Sequence, residues 1–180
     1  EHHYDLASET RIAGQLIEHG VDALVLVGLD HEQALYSLLA DYGRPYVLTW
    51  GVDPLLRHPS VGFDNRAATL AATRHLLALG HRRIGLLSAP IEGNDRARAR
   101  GEGVRAALAE AGLSLDERHV AYAPISLPAA EAAAALLLAA PDRPTAIVGT
   151  NDVFAVGVML AARRMGIRIP QELSVTGVDN

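Results

Sequence analysis

The chain is 180 residues long, 49% hydrophobic, and carries a formal net charge of −5. That length suits one domain or two small lobes, and the acidic balance supplies no overall attraction to nucleic acid or to an anionic membrane. Cysteine is absent and all 16 basic residues are arginine, which excludes disulfides, thiolate metal sites, a cysteine nucleophile, a Walker lysine and Schiff-base chemistry. No apolar run reaches the roughly 18 residues of a membrane span, so no membrane partner is expected, and no signal peptide is visible.

Residues 1–5 have no pattern, the paired histidines at 2 and 3 included. Residues 6–20 predict an amphipathic helix, with Ile12, Leu16 and Ile17 at helical spacing and Gly20 as its stop. A strand at 21–27, a helix at 31–42 and a strand at 45–49 follow. The first helix has no strand before it, so an amino-terminal portion is expected to be missing. Trp50, the only tryptophan, stands at a strand end. It reads either as an aromatic platform for a sugar or base ring, or as a side chain packing its loop onto the sheet.

The run Val-Gly-Phe-Asp-Asn at 61–65 returns in form as Thr-Gly-Val-Asp-Asn at 176–180. Between the two, helices at 66–79, 96–111, 128–140 and 151–165 alternate with strands at 83–88, 119–122, 145–149 and 173–177. Such alternation means a parallel sheet with helices on both faces. The expected class is therefore α/β with two lobes, residues 1–62 forming part of one and 63–180 most of the other, and the two Asp-Asn elements marking the crossings. The strand at 145–149 reads as buried on both faces. Asn151 and Asp152 cap the following helix, and Gly166 ends it. Asn and Asp thus stand at two strand ends, where open parallel sheets bind ligands.

Other patterns carry less. Residues 101–106 match Gly-x-Gly-x-x-Ala in letters, but they lie inside a helix and not in the turn after a strand; small residues allowing close helix–sheet packing explain them. Arg96, Arg98 and Arg100 spread over different helix faces, which argues against a nucleic-acid patch. A single inward arginine fits better, as a planar fork clamping a hydroxylated or anionic ligand. His31 and Glu32 lack the rest of a zincin pattern, and His75 and His81 lack metal spacing. No catalytic residue, metal or cofactor is indicated.

Read in order, Val-Gly-Phe-Asp-Asn at 61–65, Leu-Leu-Ala-Leu-Gly-His-Arg-Arg-Ile at 76–84, Arg-Gly-Glu-Gly at 100–103, Arg-Pro-Thr-Ala-Ile at 143–147, Asn151 with Asp152, and the run from Ile169 to Asp179 resemble the effector-binding core of the lactose-repressor/galactose-repressor (LacI/GalR) family of bacterial transcription regulators. The resemblance covers essentially the whole chain. It implies a periplasmic-binding-protein-like fold and a small-molecule effector, a sugar or nucleoside, bound in the cleft between lobes. Carried over by position, Arg100 of the Arg-x-x-Gly helix clamps the effector, Asp64 and Asp179 belong to the two crossings, and Asn151 starts the Asn-Asp helix. Asn94 and Trp50 are further implied contacts, and Asp152 is assigned mainly to the cap. Val156 and Leu160 resemble positions that pack across a homodimer, with burial against their own sheet as the alternative. The helix-turn-helix through which family members bind operator DNA, their hinge, and the first strand and helix of their core have no counterpart here. The chain also stops before the family's return into the first lobe. The expectation is a cytoplasmic regulator's sensing core, truncated at both ends. The alternatives are a secreted solute-binding protein feeding a transporter and a small α/β enzyme.

Overall fold

The computed structural model of the chain describes residues 6–179; the histidines at 2 and 3 and Asn180 lie outside the described residues. The elements run in the order α1 (Leu6–Glu18), β1 (Leu24–Val27), α2 (Gln33–Tyr42), β2 (Tyr46–Thr49), β3 (Ser60–Val61), α3 (Asn65–Ala78), β4 (Ile84–Ser88), α4 (Asp95–Glu110), β5 (Val120–Tyr122), α5 (Leu127–Ala139), β6 (Ala146–Gly149), α6 (Asp152–Arg164) and β7 (Ser174–Thr176). They form two compact units, Glu1–Asp64 with Ile91–Arg96, and Asn65–Pro90 with Ala97–Asn180. The chain changes unit after Asp64, where the sequence suggested residue 62. The segment Ile91–Arg96 counts with the first unit, which alternation alone could not reveal.

In the first unit β1, β2 and β3 form a parallel sheet in that order, with Leu24 opposite Tyr46 and Leu48 opposite Ser60. Ala13 of α1, Leu35 and Leu39 of α2, and Leu24, Leu26 and Leu48 of the sheet make its core. Alternation along β1 buries Leu24 and Leu26 and exposes Val25 and Val27, the period-two pattern of a strand. β1 is shorter than its apolar run. The Val21 amide donates to Leu16 O as α1 closes, and the Val21 carbonyl accepts from the Tyr42 hydroxyl. Both backbone groups of Val21 are thereby taken from the sheet.

In the second unit the parallel strands are ordered β5-β4-β6-β7, with Leu86 opposite Val120, Ile84 opposite Ala146, and Val148 opposite Thr176. Every residue of β4 and of β6 is buried, as strands covered on both faces require. Leu76, Ile84, Leu86, Val104, Leu108, Ala146 and Val148 join in one core. The Ser126 side chain caps α5 and the Asn151 side chain caps α6, the latter accepting from the Phe154 amide. Asp152, assigned mainly to the cap, is the first residue of α6, one place past the capping Asn151. Past Met165, Gly166 sits at φ 70°, the left-handed conformation that closes a helix at little cost for glycine.

Candidate functional site

The strand order locates the site. From β4 the chain runs through α4 to β5 on one side, then through α5 to β6 on the other. Successive connections therefore diverge between β4 and β6, and at such a reversal a crevice opens outside the carboxyl ends of the strands. Ser88 ends β4 and Thr150 follows β6. Both are buried, and the Thr150 hydroxyl donates to Ser88 Oγ at 3.1 Å. The Thr150 amide donates to Leu87 O at 2.9 Å, which fixes this peptide in the sheet.

Arg100, on α4, brings its guanidinium to the same place and is only 6% exposed. Its Nε donates to Asn65 Oδ1 at 2.7 Å, Nη1 donates to the Thr150 carbonyl, and Nη2 donates to Asp179 Oδ1 at 3.2 Å. A buried guanidinium needs its charge met and its donors satisfied. Asp179, partly exposed, supplies the carboxylate, and two neutral oxygens satisfy the other nitrogens. Planar donors of fixed direction next to a carboxylate and a hydroxyl are a recognition set for ring oxygens and hydroxyls.

Of the residues the sequence singled out, Arg100 and Asp179 are in direct contact, and Asn151 adjoins Thr150. Asn151 Oδ1 accepts from the Phe154 amide at 3.1 Å, so the cap leaves its Nδ2 as a donor. Asp64, Asn94 and Trp50 belong to the first unit. Asp64 is exposed. Asn94 is buried, and its amide donates to Ile91 O at 3.2 Å. Trp50 is 47% exposed at φ 66°, so packing onto the sheet accounts for only part of its ring. On α6, Val156 is exposed and Leu160 half-buried; Val156 is thus not spent against its own sheet.

Sequence reasoning missed Asn65, Thr150 and the binding context of Ser88. Asn65 lies inside the repeated Asp-Asn element, beside Asp64, and no local pattern marks its side-chain carbonyl as a partner of Arg100. A polar group in the first unit was missed as well. The His31 Nδ1 lies 2.7 Å from Glu9 Oε2 and its Nε2 lies 3.0 Å from Gly28 O, while Asp95 pairs with Arg96 Nη1 at 2.9 Å. Burial lowers the His31 pKa, but the Glu9 hydrogen bond and charge, with the Gly28 carbonyl, outweigh it and raise the value above the ordinary 6.5. These partners lie far apart in the chain, and no spacing rule links them.

Among the described residues, no group of three or more His, Asp or Glu is placed to hold a metal ion, and no helix is long and apolar enough to cross a membrane.

Residues 73–180 match the periplasmic binding protein-like domain family. The chain is 38% identical over 185 aligned positions to an HTH-type transcriptional regulator from the aml 5′ region of Streptomyces limosus, covering 97% of this chain and 51% of that protein. It is 34% identical over 136 positions to the HTH-type transcriptional repressor CytR of Escherichia coli strain K12, covering 76% of this chain and 40% of the repressor. A crystal structure of a LacI-family regulatory protein from Chloroflexus aggregans superposes with a TM-score of 0.82 at 30% identity, covering 96% of this chain and 62% of that one. The chain thus spans about half the length of the curated relatives it matches. It belongs to the LacI/GalR family of transcriptional regulators, in the part that folds as a periplasmic binding protein-like domain.

Proposed function

We propose that this chain is the effector-sensing part of a cytoplasmic DNA-binding regulator, taking a small polar ligand of the sugar or nucleoside class and altering operator affinity in the intact protein. The observation that carries the reading is the Arg100 guanidinium, buried at the β4/β6 reversal and held by Asn65, Thr150 and Asp179. Ligand affinity that differs between two conformations shifts their populations, and with them operator binding. Relatives that are transcriptional regulators support a binding role without catalysis. Asp179 and Asn151 would meet ligand hydroxyls beside Arg100, and Trp50, Asp64 and Asn94 keep the contact roles that the resemblance implies.

The test is a thermal-shift panel of pentoses, hexoses, disaccharides, nucleosides and purine bases. A ligand at a hundred times its Kd stabilises by about 2.7 kcal/mol, enough to raise Tm by several degrees. One chemical class should do so in the wild-type chain and fail in Arg100→Ala. A shift that survives Arg100→Ala, or a panel without any shift, counts against the reading. The α6 face carrying Val156 and Leu160 is proposed as a homodimer contact. Sedimentation of wild type against Val156→Arg tests it, and equal masses for the two would remove it.

A further inference from the structure

We propose that Asn65 is the positioning residue of this site: its side-chain carbonyl fixes the plane in which Arg100 presents its guanidinium. What Arg100 is held for rests on the sensing role proposed above; the hold itself does not.

Arginine loses about 2 kcal/mol of rotamer entropy when its side chain is fixed, so an arginine that must be ready for a ligand needs restraint along its length. Nε–H is the donor nearest the stem and lies in the guanidinium plane. An acceptor there restrains the last torsion of the side chain at its stem, adding to what acceptors on the terminal nitrogens hold. Asn65 Oδ1 takes this donor at 2.7 Å, and both residues are buried. The acceptor is a neutral amide, as is the Thr150 carbonyl that accepts from Nη1. These two acceptors are neutral oxygens, and the Asp179 carboxylate offsets the charge.

Asn65 is itself well anchored. It is the first residue of α3, and α3 also holds the backbone of Arg100, where Thr69 Oγ1 donates to Arg100 O at 2.7 Å. Side chain and main chain of Arg100 are therefore both held from α3. Asn65 also directly follows the segment that leaves the first unit at Asp64, so the residue orienting Arg100 is the first one after that crossing.

The test needs no ligand. Guanidinium Nε–H resonances are recorded by NMR on the 180-residue chain, and the Arg100 signal is identified by its loss in Arg100→Lys. In wild type the Arg100 Nε–H should exchange slowly with solvent. In Asn65→Ala its exchange should accelerate by roughly tenfold or more, the loss of one net hydrogen bond, while the backbone amides of β4 and β6 keep their protection. In Asn65→Asp, which retains the acceptor, slow exchange should persist. Unchanged protection in Asn65→Ala overturns the proposal, as does loss of protection in Asn65→Asp. Should Asn65→Ala not fold, the wild-type chain decides: scalar coupling across the hydrogen bond from Arg100 Nε to the Asn65 side-chain carbonyl supports the assignment, and its absence removes it. A ligand panel without a hit would end the sensing reading and leave this one standing; the converse holds for unchanged exchange alongside a hit.

Discussion

His31 and His81 are each held through both ring nitrogens, and their pKa values move in opposite directions. His31 faces a carboxylate and a carbonyl, both acceptors, and so favours the doubly protonated ring. His81 lies between the Thr145 and Ser174 hydroxyls, each at 2.9 Å, which satisfy a neutral ring, and burial lowers its pKa below 6.5. A raised folded-state value means that the folded protein binds the proton more tightly than the unfolded chain. The His31 contribution is therefore complete below about pH 6.5 and is lost as pH rises through the folded value. The His81 contribution is present above about pH 6.5 and is lost as pH falls through its depressed value. Urea unfolding from about pH 5 to about pH 9 should show His31→Gln most costly at the acid end and His81→Gln most costly at the alkaline end. Parallel pH profiles for the two variants would mean that the two values do not move in opposite directions.

At the scale of elements, α3 and α4 touch through a glycine. A Cβ on Gly103 would collide with the Arg66 carbonyl and with Thr69 Oγ1, the hydroxyl that donates to Arg100 O. Gly103→Ala should push the helices apart and destabilise by about 1–3 kcal/mol, as overpacking does. It should also blunt any ligand response, because the same displacement moves Arg100. Urea unfolding measures the first effect and thermal shift the second; an alanine accepted at wild-type stability would show that the contact relaxes freely. In sequence this glycine reads as easing helix–sheet packing, whereas the structure shows a helix–helix contact. That contrast marks how far sequence legibility reached. Period and punctuation revealed the elements, because burial of β4 and β6 on both faces leaves unbroken apolar runs and Asn151 and Gly166 mark the ends of α6 in chemistry readable locally. The site was readable only where one residue type has few other uses, as with an inward arginine near strand ends. What closes on that arginine comes from α3, from a backbone carbonyl after β6 and from the residues after β7. Local patterns do not say that the Asn65 side chain turns toward it.

For the whole molecule, two units with separate cores should not be equally stable. The second unit buries β4 and β6 completely beneath α3, α4, α5 and α6. The first has a three-stranded sheet whose β1 exposes Val25 at 67% and Val27 at 44%, and less apolar burial means less stabilisation. Stretches with few buried contacts open at lower free energy than the core of the same protein. The sole tryptophan, Trp50, lies in the first unit, so its fluorescence reports on that unit, while far-ultraviolet circular dichroism reports the helices of both. On titration with urea the fluorescence midpoint should come first, with the dichroism signal completing its loss at higher denaturant. Hydrogen exchange should place the slowest amides in β4 and β6 and faster ones in β1. Coincident midpoints for the two probes would instead make the chain one cooperative unit, in which case a ligand held by Arg100 would stabilise the surroundings of Trp50 as much as its own. Separate midpoints carry the opposite consequence: a ligand contacting only second-unit residues should raise the dichroism midpoint and leave that of Trp50 unmoved. One that contacts Trp50 should raise the fluorescence midpoint, so the same titration reports which residues the ligand uses.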